Sequence, residues 1–244
     1  MSLRRQILLV FSVLWFTLGG WGMVSATAIA APSGHAHHSP ADPTVPAVFA
    51  FNEEAERWFN QGLDRVYLKD YEGAIDAFSK SLSAASDYRV YLERGKVYAH
   101  LGRWTQAITD YTQALSLSAV DDFYVHFLRG QAWEAVGDFK SAIADYTESI
   151  RIYPSDGLGY TRRGAVYAKT GQLLLAHRDF KAAIEQNAGR SEAYVERGNL
   201  RLMLGNAAGA LADYRIAIKL FTASGHTEDA QAVQQKIEQL QLGA

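Results

Sequence analysis

Three histidines fall within four residues: His35, His37 and His38, in the stretch HAHH. Imidazoles this close are a donor set for Zn²⁺, Cu²⁺ or Ni²⁺. A short tract among prolines has no fixed geometry, however, and a polar spacer is the favoured reading. His100, His126, His177 and His226 stand far apart with no ligand spacing. Asp121 and Asp122 form a carboxylate pair, but directly before Phe123 they read as a helix cap. There is no HExxH, GxSxG or P-loop, and GLG at 157–159 lacks the third glycine of a dinucleotide loop. The absence of cysteine removes disulfides, thiolate metal sites and cysteine nucleophiles. Net charge is −2 with no basic run past the first residues, which argues against nucleic acid as a partner. The chain is therefore expected not to be an enzyme and to carry no cofactor and no resident metal. Its function must lie in binding.

One charge pattern does recur. Arginine stands at Arg94, Arg129, Arg163 and Arg197, and aspartate follows sixteen residues later at Asp110, Asp145, Asp179 and Asp213. One repeat earlier both are missing together, as Gln61 and Ala77. Joint presence and joint absence point to a structural ion pair, for which the planar guanidinium suits a partly buried carboxylate.

The elements that position these pairs repeat too. Each arginine precedes a glycine, in YLERG, HFLRG, YTRRG and YVERG, and Gly62 of WFNQG joins the set. The glycines Gly62, Gly95, Gly130, Gly164 and Gly198 are spaced by 33, 35, 34 and 34 residues. Twelve residues after each comes an alanine (Ala74, Ala107, Ala142, Ala176, Ala210), and four further an aromatic (Phe78, Tyr111, Tyr146, Phe180, Tyr214). Tyr91, Arg94, Gly95 and Tyr98 lie at helical spacing on a first helix, A. Trp104, Ala107, Ile108, Tyr111, Ala114 and Leu115 lie on one face of a second, B. A 34-residue period of this kind means paired antiparallel helices.

These positions resemble the tetratricopeptide repeat (TPR) family. Tyr160, Gly164, Tyr167, Gly171, Ala176, Phe180 and Ala183 match the family pattern, as do Tyr91, Gly95, Tyr98, Gly102, Trp104, Ala107, Tyr111 and Ala114. Repeat 1 departs from it with Lys69 at the turn glycine and Arg65 at an aromatic, and repeat 5 with Arg201 and Ala207. The expected fold is all-α: a right-handed α-solenoid of five TPR hairpins at about 55–87, 88–122, 123–156, 157–190 and 191–222, then a capping helix within 223–244. That last helix should begin at Thr227, with Ala230, Val233, Ile237 and Leu240 on its apolar stripe.

The resemblance implies that helices A line a concave groove for a protein or peptide ligand. The groove residues it implies are Phe59, Arg89, Leu92, Lys96, Tyr124, Phe127, Gln131, Thr161, Arg162 and Asn199. Tyr124 and Phe127 are the favoured anchors, with packing between helices the competing role for Phe127. Phe59 and Leu63 occupy the positions of the carboxylate clamp found in chaperone-tail TPR domains, so that specificity is not implied. Self-association end to end is the alternative function, and metal handling through HAHH a third.

The N-terminus reads as an address. Arg4 and Arg5 precede an apolar run from Ile7 to Leu18, then glycines and small residues, with Ala28-Ile29-Ala30 as a cleavage site. Residues 1–30 are expected to be a signal peptide, with an uncleaved anchor as the alternative; only the anchor would contact a membrane. Residues 31–52 form a linker carrying Pro32, Pro40, Pro43 and Pro46. The chain thus resembles exported bacterial, cyanobacterial-style TPR proteins. This implies a scaffold for envelope assembly in the periplasm, with the thylakoid lumen or a membrane anchorage as alternatives.

Overall fold

The computed structural model describes residues 53–118, 122–187 and 190–242. The segments expected to be leader and linker, the HAHH histidines and Asp121 lie outside the described residues. Eleven helices follow one another there. Five antiparallel hairpins pair α1 (Glu53–Tyr67) with α2 (Tyr71–Ala84), α3 (Tyr88–His100) with α4 (Trp104–Leu117), and α5 (Phe123–Val136) with α6 (Phe139–Ile152). The fourth pairs α7 (Leu158–Lys169) with α8 (Leu173–Gln186), and the fifth α9 (Ser191–Met203) with α10 (Ala207–Ala223). The last helix is α11 (Thr227–Leu242). No described helix is long and apolar enough to cross a membrane.

Local chemistry sets the helix ends. Asp70, Asp87, Asp122, Asp138 and Asn206 each accept a backbone N–H of the first turn, as caps of α2, α3, α5, α6 and α10. The turn inside each hairpin passes through the left-handed region at Gly102, Gly137, Gly171 and Gly205, where a Cβ is disfavoured. In the first hairpin Lys69 takes that conformation, with φ 61°.

Packing inside each hairpin turns on the recurring helix-A glycine. A Cβ on Gly130 would stand 2.8 Å from Cε1 of Tyr146, and one on Gly95 would stand 2.7 Å from Cε1 of Tyr111. Helix A can therefore lie directly on the helix-B aromatic only where it has no side chain. Phe78, Tyr111, Tyr146, Phe180 and Tyr214 are fully buried, as are the five alanines four residues before them. The array ends as the apolar stripe of α11 requires: Ala230, Val233 and Ile237 close over Ala217 and Phe221 of α10.

Adjacent helices pack in sequence, and the A helices α3, α5, α7 and α9 also touch one another in turn. Successive A helices are thus in closer contact with one another than successive B helices are, as expected where A lines the concave side of a solenoid.

Candidate functional site

The four arginine–aspartate pairs are bidentate. Arg94 donates from Nε and Nη2 to Asp110, both at 2.8 Å. Arg129 does the same to Asp145 at 2.8 and 2.8 Å, and Arg163 to Asp179 at 2.8 and 2.9 Å. Arg197 reaches Asp213 at 3.0 and 2.7 Å. The carboxylates are buried at the A–B seam. Tyr91 and Tyr98 flank the Arg94 guanidinium at 5.7 and 5.8 Å, and Tyr160 and Tyr167 flank that of Arg163 at 5.8 and 5.9 Å. This is the physical content of YxxRG: a tyrosine on the arginine, an arginine on the opposite helix, and a glycine against the aromatic beneath.

In three of the four pairs the third arm of the guanidinium crosses to the preceding hairpin. Nη1 of Arg94 donates to Ser79 Oγ at 2.9 Å, Arg129 to Thr112 Oγ1 at 3.1 Å, and Arg163 to Thr147 Oγ1 at 2.9 Å. Sequence reading missed these hydroxyls, although each sits one residue after the helix-B aromatic. At the corresponding place before the fifth hairpin stands Lys181. There Arg201 supplies a second cation to Asp213, at 2.8 Å. In the third hairpin His126 takes the tyrosine position, with Nδ1 3.0 Å from Asp145 Oδ1. Burial pushes the Asp145 carboxyl upward, but the hydrogen bonds from Arg129 and His126 hold it below its ordinary value.

The inner face divides the expected groove residues. Tyr124 is 40% exposed, with the Lys96 ammonium 5.6 Å from its ring centroid. Lys96 also donates to Glu93 at 2.8 Å. Arg89 chelates Asp87 and lies 3.9 Å from Glu56. Arg162 is exposed, while Leu92 and Gln131 are half-buried. Asn199 Oδ1 accepts from Tyr214 Oη at 2.8 Å and from Lys236 Nζ of α11 at 3.1 Å, so the last helix reaches over the end of the row.

Three expected groove residues are corrected. Phe59 is a core residue, with its ring 5.9 Å from that of Phe78. Phe127 is 6% exposed and lies 5.8 Å from the Tyr146 ring, so it packs between helices. Thr161 is buried and donates to Gly157 O at 3.0 Å, satisfying its own helix start. All three stand three residues before the glycine, where the helix turns toward the A–B seam. The accessible aromatic of the face is Tyr124, three residues and almost one turn earlier.

Comparison with curated proteins finds no match. Solved structures do resemble the chain. MamA (residues 41 to the end) from Desulfovibrio magneticus RS-1 superposes with TM-score 0.65 at 16% identity, over 71% of this chain and 98% of that one. YrrB, described as a TPR protein with an unusual peptide-binding site, gives 0.57 at 20% identity over 76% and 100%. A thermophilic TPR protein from Thermus thermophilus gives 0.58 at 18% identity over 74% and 99%. At such identities the likeness is one of fold. The family profile described as tetratricopeptide repeat matches residues 59–122, 101–157 and 161–225. With the glycine–aromatic phase and the stacked hairpins behind that match, the chain belongs to the tetratricopeptide repeat family.

Proposed function

We propose that this chain is a non-enzymatic scaffold that holds a segment of a partner protein along its inner face. The observation that carries the reading is Tyr124: a large aromatic, 40% exposed, on the helix-A face beside the Lys96 ammonium. Exposed aromatics beside hydrogen-bonding groups are the usual anchors of peptide grooves. The fold likeness to YrrB, itself described as having a peptide-binding site, supports a peptide ligand. The leader-like N-terminus supports export to the periplasm and a role in assembling or localising envelope complexes.

The test is a pull-down from an envelope extract with the full chain and with its Tyr124→Ala variant as baits, after circular dichroism has shown equal helicity. Proteins retained by the wild type and lost by the variant support the groove. Capture of this chain alone, with light scattering that rises with concentration, would replace the reading by self-association. N-terminal sequencing of the chain from its own cells tests export: a start within the first residues would overturn cleavage.

A further inference from the structure

The boundary between the fourth and fifth hairpins is built differently from those before it. At the earlier boundaries a helix-B hydroxyl, on Ser79, Thr112 or Thr147, accepts from the arginine Nη1 of the next hairpin at 2.9–3.1 Å. After Phe180 that place holds Lys181, whose ammonium can only donate. Arg197 bonds Asp213 from Nε and Nη2, and its Nη1 makes no hydrogen bond among the described residues. The guanidinium is nonetheless fixed in place. Its side chain is 16% exposed, is tied to Asp213, and lies 5.5 Å from the centre of the Tyr194 ring.

Cations are in surplus around that open arm. Asp213 is shared between Arg197 and Arg201. Lys181 turns along its own helix to Glu185, at 3.5 Å with both side chains mostly exposed, a contact that contributes little. One turn before Lys181, Arg178 is exposed and makes no hydrogen bond or ion pair among the described residues. Arg178, Lys181, Arg197 and Arg201 thus stand against Glu185 and Asp213 alone. What the boundary lacks is an acceptor with negative charge, at the spot where its three counterparts carry a hydroxyl oxygen.

We propose that this boundary binds a phosphate group. One oxygen takes the place of the missing hydroxyl and accepts from Arg197 Nη1. The others meet the Lys181 ammonium, released from Glu185, and the Arg178 guanidinium. A carboxylate has two oxygens and one charge, whereas a phosphate monoester has three oxygens and close to two charges, which matches three donors and the local surplus. Arg197 precedes Asn199 of the inner row by two residues, about 200° around α9, so the site is separate from the inner face. Two sources can present the group: a soluble phosphate monoester, or the headgroup of a phosphatidic acid in a membrane. The second would also lay acyl chain against Leu174, which is 88% exposed one turn before Arg178 on the same stripe of α8.

The experiment titrates inorganic phosphate into the full chain at fixed ionic strength and follows the heat of binding. A dissociation constant below about 1 mM is expected. Lys181→Thr restores the hydroxyl of the other boundaries. It should weaken phosphate binding at least about tenfold, while melting no lower than wild type in phosphate-free buffer. Co-sedimentation with phosphatidylcholine vesicles, with and without phosphatidic acid, separates the sources. Pelleting that needs phosphatidic acid and is lost in both Lys181→Thr and Leu174→Ser assigns the phosphate to a lipid. Phosphate binding without pelleting assigns it to a soluble ligand. Binding of neither phosphate nor vesicles, or binding that Lys181→Thr leaves unchanged, overturns the proposal.

Discussion

Replacing Arg163 by alanine removes three things at once. Asp179, 6% exposed at its side chain, loses both hydrogen bonds of its bidentate partner. Thr147 loses its link to the fourth hairpin. Tyr160 and Tyr167 lose the guanidinium that lies beside both rings. The first loss dominates, because a buried carboxylate is left with no cation and little water. Breaking such a pair costs about 3–5 kcal/mol. The hydroxyl link adds about 1 kcal/mol and is partly replaced by solvent. An overall loss of about 4 kcal/mol is a large share of the roughly 5–15 kcal/mol that holds a domain together. Urea unfolding followed by circular dichroism measures it. The same reasoning requires that Arg163→Leu with Asp179→Leu be much milder than Arg163→Leu alone, since no charge is then stranded. A coupling of at least about 2 kcal/mol is expected. A single variant within about 1 kcal/mol of wild type, or strictly additive losses, would refute the idea that this pair is a buried structural unit.

Four further outcomes follow from the geometry. Gly130→Ala should lose about 1–3 kcal/mol, because its Cβ would press on the fully buried Tyr146 ring; Tyr146→Leu in the same chain should restore part of it in a thermal melt. Lys69→Gly should gain up to about 1 kcal/mol, since it removes a Cβ from a left-handed turn, and no gain in urea midpoint would contradict this. Asp145 has a depressed pKa, so its contribution is present above the ordinary value near pH 4 and is lost as pH falls through the folded value. Asp145→Asn should then show a flatter fall in urea midpoint between about pH 5 and pH 3 than wild type does. Asp138→Ala should lower the urea midpoint by leaving the N–H of Ser141 at the start of α6 without its cap, measurable in the same urea assay.

The repeat was legible because every hairpin solves the same packing problem with the same residues. A constant separation of sixteen between Arg94 and Asp110 survives in three other pairs because both lie within one hairpin of fixed length. The hydroxyl link was not legible. It joins Arg94 to Ser79 across a hairpin boundary, and serines and threonines on a half-exposed helix surface have many reasons to be there. The assignment of Phe59, Phe127 and Thr161 to the groove failed for a geometric reason. Helical phase locates a face to within about 100°, and these residues lie where the inner face meets the seam. Burial separated Phe127 from Tyr124, and spacing could not. The open arm of Arg197 required more still, since its lack of an acceptor becomes visible only beside Arg94, Arg129 and Arg163.

The arginine links all run one way. Arg94, Arg129 and Arg163 each reach back to the hairpin made before them, and among the described bonds of this kind none reaches forward. A chain that emerges from its N-terminus first presents each hydroxyl before the guanidinium that will use it. Each new hairpin can therefore complete its bonding as it docks on finished structure. Shortening the array is correspondingly asymmetric. Removal of the last hairpin leaves Arg163 with all its partners, whereas removal of the first takes Ser79 away from Arg94 and leaves a dangling donor at the new edge. The bonding between hairpins in this array has a direction, from each guanidinium back to the hydroxyl that precedes it in the chain.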